Sequence, residues 1–307
     1  MEKRQLGSFQ VSVVGLGCNN FGWRTDAAGT ERVVDAAIEA GINFFDTADV
    51  YGGGKSEEYL GRALGSLRKK VVVATKFGLP MDERRRGAKP AYIREAVEDS
   101  LRRLGTDYID LYQLHKPDPE TPIGDTLETL NDLVRAGKTR EIGCSNFSAA
   151  QLREAEAAVK AEAARFISVQ NHFSLLHREP EAEVLPECER LGLGFIPYFP
   201  LENGLLTGKY RAGQALPEGS RAKDGFGPKI FTDQNIALAE ALEKFATSRQ
   251  HTLLELAISW LAAQSGVVSI IAGAKNSEQI RANASAAAWK LTPEEVEEID
   301  GILNQPA

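Results

Sequence analysis

Asp46, Tyr51, Lys76 and His115 each sit at or just beyond the C-terminal end of a short apolar run: INFF before Asp46, VVVAT before Lys76, YIDLYQL before His115. A buried strand has no packing reason to end on a charge, because an isolated buried charge is expensive. Taken singly, each residue has an ordinary reading. Asp46 could cap a turn, Tyr51 could be a packed aromatic, and His115 could be a satisfied structural histidine. Their joint arrival at successive strand ends points to one polar site. As a set they form an acid–base system. A phenol ionises near pH 10, a neighbouring ammonium favours the phenolate, and a carboxylate holds that ammonium in place. A histidine can orient a carbonyl oxygen. Such a tyrosine passes a proton to a carbonyl oxygen or takes it back from an alcohol. Hydride transfer, the other half of that reaction, is beyond any side chain and implies a nicotinamide cofactor.

Elements must exist to position these four residues. Candidate strands are Val13–Leu16, Ile42–Phe45, Val71–Thr75, Tyr108–Leu114, Arg140–Gly143, Phe166–Gln170, Gly194–Tyr198 and Val267–Ile271. Most are apolar throughout, as parallel strands buried on both faces are. Helical spacing fills the gaps. Ile93, Val97, Leu101 and Leu104 lead to a stop at Gly105, and Leu127, Leu130, Leu133 and Val134 lead to Gly137. Ser148 with Gln151, and Thr292 with Glu295 behind Pro293, fit capping boxes. Eight strand–helix units in 307 residues predict a (β/α)8 TIM barrel, with residues 1–307 as one domain. The runner-up, an open doubly wound sheet, would carry GxGxxG after its first strand, but the stretch Gly15-Leu16-Gly17-Cys18-Asn19-Asn20-Phe21-Gly22 lacks the third glycine. One connection breaks the rhythm. Between Tyr198 and Val267 lie a Gly/Pro-rich loop, at about 201–234, and two helical stretches near 235–248 and 252–264. A loop of that length in a compact domain is usually functional, here a cover over a ligand.

Composition narrows the alternatives. A net charge of −7 argues against a nucleic-acid partner. Arg84, Arg85, Arg86 and Lys89 read as a solvated loop. Cys18, Cys144 and Cys188 are odd in number and form no CxxC, so neither a disulfide framework nor zinc is expected. A metal-dependent hydrolase would need a ligand cluster at strand ends. Of the other histidines, His172, His177 and His251, only His172 lies near one. No metal, no membrane span and no export signal are expected, which makes the cytoplasm the default location.

The stretches GINFFDTADVYGGGKSEEYLGRAL, VVVATKFG, YIDLYQLHKPDP, IGCSNFS, VQNHFSLL, GLLTGKY and IAGAKNSEQIRAN resemble the aldo-keto reductase family, in order and over nearly the full chain. The likeness is to bacterial members related to potassium-channel β subunits. It implies Tyr51 as general acid/base, Lys76 as modifier of its pKa, Asp46 as partner of Lys76, and His115 as the group orienting the carbonyl. The channel subunits carry Asn at the position of His115. His115 therefore favours an active reductase over the alternative, a non-catalytic NADP-binding redox sensor.

The resemblance also implies a cofactor site. Asp46 borders it, and Ser145, Asn146 and Gln170 would hold the nicotinamide carboxamide. Tyr198 would stack on the ring. Phe199, Pro200, Leu201, Gly204, Leu205, Lys209 and Arg221 would line the pyrophosphate, and Gly273, Lys275, Gln279 and Asn283 the adenosine end. Phe199 stands where the family usually has Ser, and Ala272 where it has Pro. Gly273, Ala274 and Gln279 fall where well-known reductases place a Lys-Ser pair and an Arg for the 2′-phosphate. NADP(H) is favoured over NAD(H) on Lys275, Arg221 and Arg281. Phe21, Trp23, Phe77 and Lys116 are expected as substrate-pocket walls beside Tyr51 and His115, and Trp289 as packing. A short C-terminal segment suggests an open pocket for small carbonyl compounds. The channel-related relatives assemble into tetramers or octamers, and the sequence leaves a homo-oligomer open.

Overall fold

The computed structural model describes residues 1–214 and 227–304. It begins with an antiparallel hairpin, β1 (Lys3–Leu6) and β2 (Phe9–Ser12), that the sequence reading lacked. The eight expected strands follow: β3 (Val14–Gly17), β4 (Phe44–Asp46), β5 (Val72–Phe77), β6 (Ile109–Leu114), β7 (Thr139–Ser145), β8 (Phe166–His172), β9 (Gly194–Tyr198) and β10 (Ile270–Gly273). They form one parallel sheet in the order β10-β3-β4-β5-β6-β7-β8-β9. The ends meet where Phe195 on β9 bridges Val267, with Val268 N donating to Phe195 O (3.0 Å) and Phe195 N to Gly266 O (2.8 Å). The sheet is a barrel, as expected.

Helices α1 (Ala27–Glu39), α2 (Lys55–Leu64), α3 (Pro90–Leu104), α4 (Ile123–Arg135), α5 (Ala149–Ala158) and α6 (Val184–Leu191) each follow a strand. After β9 come a short turn α7 (Gly227–Ile230), then α8 (Asp233–Ser248) and α9 (Leu253–Ala263), and after β10 come α10 (Ser277–Ser285) and α11 (Pro293–Leu303). The punctuation works as read. Gly105 caps α3 in the left-handed region, and reciprocal capping boxes start α5 at Ser148 and α11 at Thr292.

Every residue of β5 and β6 is buried, which is why these segments show no alternation: one face fills the barrel and the other meets helices. The larger core lies between strands and helices, with Val73, Tyr112, Ile142 and Val169 from the sheet against Val97, Leu101 and Leu130 from helices. A second cluster fills the lower barrel. There Leu6, Phe9 and Val11 of the hairpin pack on Phe44, Val72, Leu111, Ile196 and Ile271. The hairpin thus plugs the end of the barrel opposite the strand C-termini. No helix is long and apolar enough to cross a membrane among the described residues.

Candidate active site

The barrel brings Asp46, Lys76 and His115 together at the C-terminal ends of β4, β5 and β6. Parallel pairing sets Asp46 beside Ala74 and Lys76 beside Gln113. Lys76 is fully buried and donates from Nζ to Asp46 Oδ1 (2.5 Å) and to the Thr47 carbonyl (2.8 Å). Asp46 Oδ2 accepts from Gln170 Nε2 (2.8 Å) and Gln113 Nε2 (3.2 Å). This carboxylate, 2% exposed, is therefore held on both oxygens, the condition under which a buried ion pair is tolerated.

Tyr51 reaches the group from the following turn, Tyr51–Gly54. Gly52 there has φ 58°, and a Cβ on it would lie 2.9 Å from the Phe21 carbonyl oxygen. Both the dihedral and the space demand glycine. The Tyr51 ring centroid lies 5.2 Å from Lys76 Nζ and 5.8 Å from the His115 ring, edge to face.

The ionisation states follow from burial and charge. Burial raises the Tyr51 phenol above its usual value of 10. Lys76 pulls it down, and Asp46 adds to the rise. The expected depression by Lys76 thus acts in the right direction but is outweighed, a correction to the sequence reading. Burial alone would lower the Lys76 ammonium; Asp46, with Tyr51, more than offsets this, and the pKa is raised. Burial, then the Lys76 charge, holds His115 well below 6.5, so its imidazole is neutral.

A second polar shell lies outside the strands. Glu57 of α2 pairs with Arg103 of α3 (2.6 Å) and accepts from Thr75 Oγ1 (2.6 Å). Asp49 faces this cluster with one oxygen near Tyr92 OH (3.3 Å) and the other without a partner. Burial, and then the Glu57 charge, push the Asp49 carboxyl up to about 7.

Beside the four residues lies a rim that suits an amide-bearing flat ring. Ser145 Oγ donates to the Gln170 backbone carbonyl (2.7 Å). Asn146 takes φ 62° and donates to the His115 carbonyl (2.9 Å), while Tyr198 OH donates to Asn146 Oδ1 (2.8 Å). Gln170 spends its N–H on Asp46 and keeps its side-chain carbonyl for an external donor. The donor and acceptor set fits a nicotinamide carboxamide, and Tyr198, partly exposed, offers a ring face.

After β9 the chain turns through Phe199 (φ 52°), Glu202 (φ 45°) and Asn203 (φ 53°). Glu202 is the tie the sequence reading missed. Its Oε1 accepts from Ser174 Oγ (2.5 Å) and bonds His172 Nε2 (2.7 Å). The His172 ring stacks between His177 (3.7 Å) and Tyr198 (5.5 Å). Among the described residues no group of His, Cys, Asp or Glu is arranged to hold a metal ion.

The remaining expected residues are placed as follows. Lys209 lies over Gly204, with Nζ 3.3 Å from where a Gly204 Cβ would be. Pro200 and Leu205 are buried, so only their backbone could meet a ligand, while Leu201 is partly exposed. Gln279 Oε1 accepts from Lys275 N (2.9 Å), and Asn283 Nδ2 reaches the Gly273 carbonyl (3.5 Å), so both shape the loop after β10. Arg281 pairs with Glu39 (2.7 Å). Arg221 lies outside the described residues. Lys116 is exposed beside His115. Phe21 and Phe77 are corrected: both have no exposed surface, and Phe77 stacks on core Tyr112 (4.8 Å), because their side chains point into the helix-facing core. Trp23 is 61% exposed and lines a separate cavity.

The profile of the Aldo/keto reductase family matches residues 13–304. The chain is 36% identical over 313 residues to the uncharacterized oxidoreductase YqkF of Bacillus subtilis (strain 168), covering 99% of this chain and 97% of that protein. Among solved structures it superposes on the glycerol dehydrogenase AKR11B4 from Gluconobacter oxydans with a TM-score of 0.86 at 34% identity, over 98% of this chain and 95% of the other. The holo form of the aldo-keto reductase AKR11C1 from Bacillus halodurans gives 0.82 at 33% identity, over 98% and 96%.

Proposed function

The chain belongs to the aldo/keto reductase family, and from that membership we propose an NADP(H)-dependent oxidoreductase that reduces aldehydes or ketones to alcohols. The observation that carries the reading is the buried Lys76–Asp46 ion pair beside the Tyr51 ring. When bound, a nicotinamide supplies the hydride to the carbonyl carbon. Tyr51 gives its hydroxyl proton to the oxygen as negative charge develops there. An alkoxide is far more basic than a phenolate, so even a raised phenol is acid enough. The Lys76 ammonium stabilises the phenolate left behind, Asp46 holds Lys76, and neutral His115 steers the carbonyl oxygen. Ser145, Asn146 and Gln170 would grip the carboxamide, and Tyr198 would cover the ring face away from substrate.

Leu201, Gly204, Leu205 and Lys209, with Phe199 and Pro200, would follow the pyrophosphate. Gly273, Lys275, Gln279 and Asn283 would hold the adenosine end. The preference for NADP(H) rests on Lys275 and on Arg221, since the Arg281 guanidinium is engaged by Glu39. We read the chain as one cytoplasmic domain acting on small carbonyl compounds. The likeness to a glycerol dehydrogenase adds small polyols and their aldehydes to the substrate panel.

The test is NADPH oxidation with an activated aromatic aldehyde and with glyceraldehyde, comparing wild type with Tyr51→Phe. Removing the general acid should lower turnover by about two orders of magnitude. NADPH binding without turnover on any carbonyl would instead support a redox-sensing binder. Activity surviving in Tyr51→Phe would place the acid elsewhere.

A further inference from the structure

Glu57 has no part in the acid–base scheme, yet it is a carboxylate with no exposed surface, set in the first turn of α2. Its Oε1 accepts from Thr75 Oγ1 (2.6 Å) on β5, and its Oε2 accepts from Arg103 Nε (2.6 Å) on α3. Desolvation of two buried charges offsets most of their attraction, and apolar side chains of like volume often hold helices together as well. What a hydrogen-bonded ion pair adds is direction, because it keeps its members at one distance and one angle.

The direction matters because of what the two ends carry. The chain runs from the Tyr51 turn straight into α2, and Lys76 is the residue after Thr75. Glu57 therefore joins the segment bearing the acid to the strand bearing the ammonium. Other ties act elsewhere. Thr47 N donates to the Ala74 carbonyl (2.8 Å) and Asp49 N to the Lys76 carbonyl (3.1 Å), both ahead of Tyr51. Beyond Tyr51, Ser56 Oγ donates to the Cys18 carbonyl (2.9 Å), which fixes α2 to the exit of β3 and not to β5. Between Tyr51 and α2 lie Gly52, Gly53 and Gly54, with φ of 58°, 66° and 95°, a backbone with little stiffness of its own. Arg103 covers that stretch from behind, since a Cβ on Gly54 would lie 2.9 Å from its Cδ.

We propose that Glu57, Thr75 and Arg103 are positioning residues for the proton transfer, a brace outside the barrel wall that sets the separation of Tyr51 from Lys76. The role rests on the reading of Tyr51 as the acid. Reacting groups displaced by about 1 Å can lose about a hundredfold in rate, so a tie that holds this separation acts on the chemical step and not on cofactor binding.

The experiment compares wild type, Thr75→Val and Thr75→Ser. Valine keeps the shape of Thr75 and removes the hydroxyl, whereas serine keeps the hydroxyl. Single-turnover NADPH oxidation with an aldehyde reads the chemical step, NADPH titration reads the cofactor site, and crystal structures read the distance from the Tyr51 ring centroid to Lys76 Nζ, which is 5.2 Å here. Thr75→Val should slow the chemical step about tenfold at unchanged NADPH affinity and widen the separation by about 0.5 Å or more. Thr75→Ser should bring both back to wild-type values. A Thr75→Val protein that melts lower but keeps the wild-type rate and separation would make the cluster a structural support only and overturn the proposal. Equal losses in the two variants, or a slower step at an unchanged separation, would overturn it too. Wild type that binds NADPH but oxidises none of it would sink the reductase reading alone, and a separation unmoved by Thr75→Val would still sink the brace.

Discussion

Tyr51 and His115 carry opposite instructions about pH, and both favour reduction near neutrality. Burial raises the phenol, so it keeps its proton until pH exceeds its ordinary value of 10. Burial and Lys76 keep His115 unprotonated at all ordinary pH. Reductive kcat/KM should therefore stay flat between about pH 6 and 9 and fall only above about 10, whereas alcohol oxidation, which needs the phenolate, should climb across the same range. A reductive limb with a midpoint near 7 would contradict this assignment of states. Gln113 is a positioning residue. Gln113→Leu removes one of two N–H donors on Asp46 Oδ2, and should lower kcat by about three- to tenfold while leaving NADPH affinity unchanged, the scale of one buried hydrogen bond. Equal losses in both would mean general damage instead. Asp49 acts on stability. Its folded carboxyl titrates at about 7 against a model-compound 3.8. The native state thus holds a proton that the unfolded chain has released, and stability falls as pH rises from about 4 to 7, then levels. Asp49→Asn cannot ionise, so its advantage over wild type in urea unfolding should be on the order of 2 kcal/mol larger at about pH 8 than at about pH 5; a constant difference would place the titration elsewhere. That Asp46, Lys76 and His115 would meet was legible because a polar side chain at the end of an apolar run has no packing excuse. Gln113 gave a similar signal, a polar residue inside YIDLYQL, but its partner Asp46 lies 67 residues away on β4, and only the pairing of β4 with β5 and of β5 with β6 brings them near. Asp49, Glu57 and Arg103 were illegible for the same reason, since the packing of α2 on α3 and on the turn after β4 joins them.

At the scale of elements, strands and helix caps were readable because buried parallel strands and capping boxes are local patterns. Observed strand boundaries fell within three residues of those expected, the largest offset being Val267 against Ile270, where the chain bridges β9 before β10 begins. The hairpin of β1 and β2 was missed although Gly7-Ser8 between two short runs is a two-residue turn signal; runs of four residues, one mostly polar, carry too little periodicity to be seen. Ties between elements were also invisible. Glu202 anchors the loop after β9 to β8 and its exit through His172 and Ser174, and His172 in turn backs Tyr198. Glu202→Ala should weaken NADPH binding about tenfold, as expected for losing a buried charged hydrogen-bond acceptor that orders a binding loop. Saturated kcat should change little, and fluorescence titration beside steady-state kinetics separates the two. A fall in kcat at unchanged affinity would move Glu202 into the chemistry. The crossing of α2 on α3 makes a different demand. A Cβ on Gly61 would sit 2.2 Å from the Leu104 carbonyl oxygen and 2.6 Å from its carbon, and backbone cannot yield as a flexible side chain can. Gly61→Ala should cost about 1–3 kcal/mol of unfolding free energy in urea, the usual range for overpacking, and a neutral result would mean that the helices part freely.

Across the whole molecule the barrel divides its labour between two ends. Acid–base groups and the Ser145–Asn146–Gln170 rim gather where the strands finish, on loops and strand termini, while the opposite end is sealed mainly by apolar packing. The plug consists of Leu6, Phe9 and Val11, set against Phe44, Val72, Leu111 and Ile196 from inside the barrel. Arg4 fastens it further, donating to the Val267 carbonyl (2.6 Å) and the Ala262 carbonyl (2.8 Å), next to the seam where β9 meets Val267. Phe9 is 3% exposed and the Arg140 guanidinium lies 4.7 Å from its ring centroid. Phe9→Ala should therefore lower unfolding free energy by about 3–5 kcal/mol, combining the lost transfer energy with the cavity left in a core that strands on several sides keep from collapsing. In the fraction that remains folded, Asp46, Lys76 and Gln170 sit on strand ends that the plug does not touch. NADPH affinity and carbonyl turnover should therefore stay within about twofold of wild type, as additivity holds for distant sites without shared partners. Urea unfolding read against cofactor titration at low temperature decides it. A folded variant with affinity changed by about tenfold would mean that the two ends communicate through the barrel staves, so that the interior layer transmits strain instead of absorbing it.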